Sequence, residues 1–589
     1  MIRIRSGLSL LLGLALLMVS LAGLPVAPVQ GSASQASAVQ LAVSARSTRD
    51  SVIFNLDGRA PPGATEVILW YDTAAGHRGR RFSVLPGAPL RRSVAVALAT
   101  EGLAVTGHFT GWLDYWWAIR GANGLIARRS GSVLLSPALR ALARPASPPL
   151  PLQWSEAASE HFRFRFYPGS AAERDIEQLK QQAESAFQQV SPIIPPTEPA
   201  TITAYLLPRV FWQGGVAYPG ATTFVSYVDR NYAGGQLPFY LAHEATHVLA
   251  QGLVAQGGQL GGLIGEGVAV YAAGGHYGPE PLDDWAAALA RSDRYIPLCR
   301  LRVTFSEQQH ELAYLEGASF VGYLIRTYGL PAFRDFYAHD PRVPDDAAKD
   351  VNAFCAGEAA RPVAGIGKTY AELEAEWLQY LQGLQPTPDE TAGLWSQVRY
   401  FNLMRRYQER HDPAARVLPP VPRRWTPKLE QIFASPALTE TNTVAETLFV
   451  AADRALDAGR PQEAAPILDE LETAIATGAF TGTRGRDHTA IAALLRRHAR
   501  AWRLGDTRVH AATVRPGVNR FEDRLWADYR LLLNALDVDG NQARAHVEGI
   551  RESIDGTVER VPLVVSLWRY PAGWRIAAID NDPNRQPKE

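Results

Sequence analysis

The stretch that decides the fold of this chain is LAHEATH, residues 241 to 247. It lies within a helical pattern that runs from Leu237 to Ala250. Residues four apart share one face of a helix, so the imidazoles of His243 and His247 can reach the same divalent cation. Glu244 stands next to the first imidazole, where its carboxylate can meet a water molecule bound to that cation. The stretch therefore predicts a metal site carried by a helix.

A third ligand is available on the next predicted helix, Gly262–Ala273. Eighteen residues separate His247 from Glu266, which lies in the sequence Gly265-Glu266-Gly267-Val268-Ala269. A tetrahedral zinc ion held by three protein ligands keeps one position for water, as catalysis requires. We therefore predict one Zn²⁺ per chain, bound by His243, His247 and Glu266.

This spacing resembles that of the gluzincin metallopeptidases, in particular the aminopeptidase N-like branch and the peptidase MA-like proteins, over residues 152–384. Members carry H-E-x-x-H, then eighteen residues, then E-G-x-A. The resemblance implies a zincin-like α+β peptidase domain in which Glu244 is the general base. It also implies that Tyr314, which precedes Leu315-Glu316-Gly317, donates a hydrogen bond to the oxyanion. Tyr271 and Tyr323 are the alternatives for this role.

Two positions depart from the family pattern. Gly265 stands where members often have Asn, which changes a group that orients the ligands. The segment Gly214–Gly220 occupies the place of the aminopeptidases' Gly-x-Met-Glu-Asn strand edge, whose Glu holds the free α-amine of the substrate. Ala217 stands at that position and offers no charge, so we expect the chain not to be an aminopeptidase. The strand edge can still pair with an extended peptide backbone.

Composition limits the other classes of function. The chain has 589 residues, of which 47% are hydrophobic and 20% charged, so it is globular rather than disordered. Its 59 basic and 59 acidic residues balance, which argues against a dedicated nucleic-acid or anionic-membrane binder. The two cysteines, Cys299 and Cys355, exclude a disulfide scaffold and an all-cysteine metal site. Whether these two cysteines pair stays open at this point.

The first 38 residues are typical of a secretory signal peptide. Arg3 and Arg5 precede an apolar run, Leu8–Leu24, and Ala36-Ser37-Ala38 offers a cleavage site. The alternative is an uncleaved membrane anchor, because seventeen apolar residues approach the length that spans a bilayer. Either way, the sequence predicts an extracytoplasmic protein, secreted or at the cell surface, with a membrane contact only if the segment stays uncleaved.

Short strands separated by Gly/Pro/Asn turns predict an all-β sandwich over 39–143. The residues from Asp114 to Gly124 resemble a fibronectin type III strand and hairpin. Examples of the predicted strands are Ser51–Asn55, Glu66–Tyr71, Arg80–Leu85, Arg92–Ala97 and Tyr115–Arg120. A Pro-rich linker at Arg144–Leu152 ends this module.

The predicted peptidase domain, 152–384, combines strands with an amphipathic helix at Ala171–Val190 and further helices near Ala313–Tyr328 and Tyr370–Leu381. A linker region is predicted over 385–440 and a helical hairpin over 441–480. A helix at Thr489–Leu504 and a terminal strand hairpin resemble the α+β cone of the nuclear-transport-factor-2-like superfamily, over 486–582. The sequence thus predicts a multidomain chain.

The residues leave other functions open. The chain could be a non-catalytic binding or assembly protein of the cell envelope built on a peptidase-like fold, although the presence of Glu244 favours hydrolysis. The zinc could also be structural if a fourth protein ligand, such as His276 or His310, closed the site. The substrate is a peptide or protein. Its identity, and the choice between endo- and exo-cleavage, are not decided by the sequence.

Overall fold

A computed structural model describes the chain in seventeen stretches. These are residues 41–48, 51–73, 76–97, 112–122, 124–136, 139, 154–196, 201–208, 214–227, 235–253, 262–344, 346–412, 436, 439–504, 506–518, 526–553 and 558–581. The predicted signal peptide and the Pro-rich linker lie outside these residues. The described residues form one compact unit.

The N-terminal part consists of two antiparallel sheets, one of order β1-β2-β5 and the other of order β4-β3-β6-β7. Alternate residues of β2 are buried, as expected for a strand with one face on a core. Side chains from both sheets, including Phe54 and Tyr115, form one hydrophobic cluster. All five predicted strands named above are present, whereas β1 and β7 are not among them. The strands are Leu41–Ser47 (β1), Ser51–Arg59 (β2), Ala64–Thr73 (β3), Gly76–Ser83 (β4), Pro89–Ala97 (β5), Trp112–Gly121 (β6) and Gly124–Leu134 (β7).

A mixed five-stranded sheet follows, in the order β11-β12-β10-β9-β8. Its central strand, β10, is parallel to both neighbours, and β11 is an outer strand that pairs antiparallel with β12. The single helix predicted over Ala171–Val190 is corrected to two helices, α1 and α2, which are separated at Asp175. The elements are Ser155–Ala158 (β8), Phe162–Phe166 (β9), Ala171–Arg174 (α1), Ile176–Val190 (α2), Ile202–Leu207 (β10), Gly215–Tyr218 (β11) and Thr222–Ser226 (β12).

Seven helices complete this part, and all of them except Val351–Glu358 share its hydrophobic core with the sheet and α2. They are Leu237–Ala250 (α3), Gly262–Ala273 (α4), Leu282–Ala290 (α5), Leu298–Thr304 (α6), His310–His339 (α7), Val351–Glu358 (α8) and Tyr370–Gly383 (α9). The helix α7 is interrupted at Gly329, whose φ of 82° is open mainly to glycine. A disulfide between Cys299 and Cys355 joins α6 to α8, which settles the pairing that the sequence left open.

A glycine pair sets the distance between α4 and α7. A Cβ atom added to Gly267 would lie 2.5 Å from the carbonyl oxygen of Gly317, and one added to Gly317 would lie 2.6 Å from that of Leu263. Both distances are too short for any side chain, so only glycine permits this approach. The close packing brings the first turns of α7 beside the turn of α4 that carries Glu266.

The predicted linker over 385–440 is wrong for its first half, which forms the 24-residue helix Pro388–His411 (α10). Next come Glu440–Asp457 (α11) and Pro461–Thr477 (α12), the predicted hairpin. These three helices share a hydrophobic cluster that also contains Tyr277, from the loop after α4. The C-terminal helices therefore pack directly on the part of the chain that carries the H-E-x-x-H motif.

The chain ends in an antiparallel sheet of order β13-β14-β15-β16, against which α13 and α14 pack. The elements are Thr483–Leu504 (α13), Thr507–Thr513 (α14), Trp526–Asp539 (β13), Gln542–Ser553 (β14), Val558–Tyr570 (β15) and Gly573–Asn581 (β16). The strand β13 is not predicted by the sequence patterns. The described residues contain no helix with the length and apolarity to cross a bilayer.

Candidate metal centre

The helix α3 spans the predicted residues Leu237–Ala250, follows the N-cap residue Gln236 and has Pro238 in its first turn, where no backbone donor is needed. Nine of its fourteen residues are buried, from Leu241 to Ala250 with the exception of His247. His243 is 7% exposed, and the side chain of His247 is 13% exposed. Burial of consecutive residues around the helix places both imidazoles inside the protein, on the side that faces α4.

Three potential ligand atoms converge between α3 and α4. Oε2 of Glu266 lies 3.2 Å from Nε2 of His243 and 3.1 Å from Nε2 of His247, and the two nitrogens are 3.1 Å apart. A tetrahedral zinc ion with bonds of about 2.0 Å separates its ligands by about 3.3 Å. The observed triangle is nearly equilateral and only slightly smaller, so its donor set and shape fit a zinc ion.

The charges of this triangle depend on one another. Burial acts to raise the pKa of Glu266, but the charge of His247 and hydrogen bonds with both imidazoles outweigh it and hold that pKa well below its ordinary value. Burial lowers the pKa of His243. Burial would also lower the pKa of His247, but the carboxylate of Glu266 raises it to about 9. Glu266 and His247 therefore each favour the charged form of the other.

Glu244 is 4% exposed and lies at the wall of a cavity beside the triangle. Burial raises the pKa of its carboxyl to about 8, and its Oε2 has no hydrogen-bond partner among the described residues. The backbone of β11 passes close by, because a Cβ added to Gly215 would lie 2.6 Å from Oε1 of Glu244. A glycine at this position is thus a condition for the observed place of the carboxylate.

Tyr314 lies in the second turn of α7 and lines the same cavity. Burial, followed by the charges of Glu266 and Glu244, raises the pKa of its phenol well above the ordinary value, so the phenol keeps its proton. Tyr271 and Tyr323 are not among the described residues that line the cavity. The resemblance favours Tyr314 as the oxyanion donor over the other two tyrosines. Of the three, Tyr314 lines the cavity.

His276 and His310 also line the cavity, but their rings pack against Tyr314 instead of joining the triangle. Their ring centroids lie 4.3 Å and 4.2 Å from that of Tyr314. Of the described residues, the convergent group at this place consists of His243, His247 and Glu266. Neither of these histidines supplies a fourth ligand. The described residues therefore do not support a structural zinc site closed by His276 or His310.

The cavity has a volume of about 690 Å³ and extends from the outer strand β11 to α10. Ala217 lines it on the β11 side, where the aminopeptidases' Glu is expected. Asn402 and Arg405 line it on the α10 side. Arg405 donates hydrogen bonds to Glu311 of α7 and to the hydroxyl of Tyr277, which fixes α10 against the part of the chain that carries the triangle.

The sequence patterns do not predict that α10 contributes to the cavity, because they indicate a linker over this region. A signal is present, however. Thr387 and Glu390 form a capping box with reciprocal hydrogen bonds, the S/T-x-x-E pattern that marks the start of a helix. Leu394, Val398 and Phe401 follow at helical spacing and are buried.

Comparisons with known proteins add little to this site. No protein-family model matches the chain, and no curated protein is similar to it. Among solved structures, the chain is similar to an aminopeptidase N family protein from Idiomarina loihiensis, with 9% sequence identity. The match covers 59% of this chain and 77% of the other, at a TM-score of 0.24. At that score the likeness carries no argument about function, which rests on the site itself.

Proposed function

We propose that the chain is an exported zinc metallopeptidase of the gluzincin type. The observation that carries this proposal is the triangle of His243, His247 and Glu266, whose ligand atoms lie 3.1–3.2 Å apart beside a cavity. A catalytic zinc site has three protein ligands and an open position. Glu244, buried beside the triangle, supplies a general base. A structural zinc site would not need one.

Each residue at the cavity has a role in this proposal. His243, His247 and Glu266 hold one Zn²⁺ per chain, which when bound lowers the pKa of its water and polarises the scissile carbonyl. Glu244 takes a proton from the attacking water on its carboxylate and delivers it to the leaving amine. Tyr314 donates a hydrogen bond from its phenol to the carbonyl oxygen as negative charge develops there.

The substrate is a peptide or protein, and we propose that its free α-amine is not what the site recognises. Ala217 lies in β11 at the cavity and offers no carboxylate to an ammonium group. The backbone of β11 is nevertheless available, since β11 is an outer strand of its five-stranded sheet. An extended peptide can add to such an edge through main-chain hydrogen bonds.

The flanking parts take accessory roles in this proposal. The two-sheet N-terminal part is assigned as a fibronectin type III-like module, and the C-terminal sheet with α13 as a nuclear-transport-factor-2-like cone. The central part is the zincin-like domain. Export is proposed from the apolar run Leu8–Leu24, which supports a location outside the cytoplasm, secreted or at the cell surface.

The test has two measurements on the purified chain. The wild type should contain one zinc ion per chain by metal analysis and should hydrolyse an unstructured peptide. Glu244→Gln should keep the zinc and lose about 10²–10⁴-fold in kcat/KM, the usual contribution of a general base. Glu177→Gln, on the exposed face of α2, is the matched control and should behave as wild type.

Three results would contradict the proposal in different ways. A chain without stoichiometric zinc has no metal centre. A zinc-bound chain that cleaves no unstructured peptide is a non-catalytic binding or assembly protein on a peptidase-like fold. Hydrolysis that survives Glu244→Gln unchanged assigns the reaction to other residues.

A further inference from the structure

A second open cavity lies against α10 and meets the metal-site cavity at one residue. We call it the α10 groove. It has a volume of about 650 Å³ and is lined by Ser292, Asp293, Arg294, Trp395, Val398, Arg399, Asn402, Leu403, Arg406 and Glu472. Asn402 lines both this groove and the metal-site cavity. The two spaces therefore border each other across a single exposed side chain.

The groove follows one face of α10. Trp395, Arg399, Asn402 and Arg406 are separated by four, three and four residues, the spacing that aligns side chains along a helix. From Trp395 to Asn402 the helix rises about 10 Å at 1.5 Å per residue, the length of about three residues of extended chain. A chain that leaves the metal-site cavity past Asn402 would thus reach Trp395 about three residues later.

The side chains of the groove suit a peptide backbone better than an ion. Arg399 is already paired with Asp469 at 2.7 Å and with Glu472 at 2.6 Å, and Arg406 lies 3.6 Å from Glu472. These arginine charges are largely compensated within the protein. The side-chain amide of Asn402 offers both a donor and an acceptor, which matches the two groups of a main-chain amide.

The far end of the groove carries a tryptophan packed against an arginine. The guanidinium of Arg294 lies over the ring of Trp395, 5.1 Å from its centroid, and Trp395 is half-buried against the main core. A tryptophan held in place by the core below and by a guanidinium above loses little conformational freedom on binding. Such a surface contacts a passing chain without demanding one particular side chain.

We propose that the α10 groove binds an extended, unfolded segment of the polypeptide substrate, continuous with the part held at the metal site. This inference rests on the proposed peptidase function and makes the enzyme an endopeptidase with subsites beyond Asn402. The position of Asn402, which lines both cavities, carries the assignment. The backbone-like chemistry of the groove selects a peptide as its occupant.

The test is a nested series of peptides around one scissile bond, lengthened by single residues from about four to about twelve on either side. On the wild-type enzyme, kcat/KM should rise at least about fivefold over about three consecutive additions on one side only. Trp395→Ala should remove this rise, so that the ratio of kcat/KM for the longest and shortest peptides falls to about one. Arg294→Ala, at an exposed residue, should lower the ratio partly and guards against misfolding of the first variant.

The matched control is Trp568→Ala, at a tryptophan that is 44% exposed on β15, and it should keep the wild-type ratio. Equal kcat/KM at all lengths in a zinc-bound, active enzyme would overturn the groove assignment and leave the peptidase proposal intact. A ratio unchanged in both groove variants would do the same. A shift of oligomeric state in Trp395→Ala with an unchanged length profile would assign the groove to contact between copies. Loss of zinc or of all hydrolysis in the wild type would instead contradict the proposed function.

Discussion

Two groups of histidine and carboxylate side chains in the central part of the chain have similar composition and different surroundings. The first is His243, His247 and Glu266, and the second is Glu160, His161 and Glu184; in each, one potential ligand atom per residue lies within 4.8 Å of the others. The first group is enclosed between two helices at a cavity. In the second, Glu160 and His161 lie at the turn between β8 and β9, with Glu160 exposed, and Glu184 lies on α2.

The second group is already satisfied by its own protein contacts. Glu184 accepts hydrogen bonds from the hydroxyl of Ser159 at 2.5 Å and from the backbone amide of His161 at 2.8 Å. Its other oxygen lies 2.7 Å from Nδ1 of His161, whose ring stacks on Phe187. In the first group, the three ligand atoms lie 3.1–3.2 Å from one another, and Tyr314 also forms a hydrogen bond with Glu266. The enclosure of three ligand atoms beside a cavity, and not the presence of ligand-type residues, separates the candidate metal site from a structural cluster.

The largest effect is expected from breaking the first group. His247→Ala removes one of three ligands from the triangle, so dialysed protein should retain less than about one tenth of a zinc ion per chain and no hydrolysis. Glu184→Gln makes a comparable change in the second group and should keep one zinc per chain. Metal analysis of both variants measures the number of zinc ions that each chain retains. Equal loss of zinc in both would mean that the two groups cannot be distinguished by their surroundings.

A smaller effect should follow from Gly215→Ala. This variant separates residues needed to bind the metal from residues needed for the reaction. The added Cβ would meet Oε1 of Glu244 at 2.6 Å, so the carboxylate must move while the triangle stays in place. Misplacement of a reacting group by about 1 Å can cost about 10²-fold in rate. We therefore expect kcat to fall by about 10–100-fold with zinc content unchanged.

The control for Gly215→Ala is Gly357→Ala in α8, where an added Cβ meets nothing within 4 Å. It should leave kcat unchanged and stabilise the helix by about 0.5–1 kcal/mol. If Gly215→Ala were as active as this control, the backbone of β11 would not determine the position of Glu244.

The smallest effect concerns the stability that the second group supplies. Burial acts to raise the pKa of Glu184, but hydrogen bonds from His161 and Ser159 outweigh it and lower that pKa in the folded state. A carboxyl with a lowered folded pKa stabilises the protein above its unfolded pKa, and this contribution is lost as the pH falls through the folded value. Glu184→Gln should therefore lower the Tm by a few degrees at pH 7, with the difference from wild type shrinking below about pH 4.5.

Thermal unfolding of both proteins from pH 7 to pH 3 measures this difference. A gap in Tm that is independent of pH would mean that the charge of Glu184 contributes nothing. A gap that widens in acid would reverse the sign of the linkage.

The parts of the fold that could be predicted are those with strong local signals. The helices α3 and α4 agree with the sequence pattern residue for residue, because the H-E-x-x-H spacing and the apolar runs fix both position and type. The strand β13 was missed, since its Leu531-Leu532-Leu533 run shows no alternation that separates strand from helix. The polar surface of α10 concealed a helix that only its capping box revealed.

The candidate site shows the same division. The sequence supplies the identities of His243, His247 and Glu266 and the order of the helices that carry them. It does not supply the distances between them, because these depend on how α3, α4 and α7 pack. The contact of Gly267 with the backbone of Gly317, and of Gly215 with Glu244, joins residues that are far apart in sequence. The histidines beside Tyr314 likewise become neighbours only in the folded chain.

The first and last parts of the described chain are tied by one charged contact. Arg500 of α13 donates to both carboxylate oxygens of Asp114 in β6, at 3.0 Å and 3.1 Å, and to the hydroxyl of Ser132. Asp114 is only 8% exposed. Deleting the C-terminal third of the chain would remove this arginine and leave Ser132 among the donors to the carboxylate, so a shortened chain should be compared with and without Asp114→Asn.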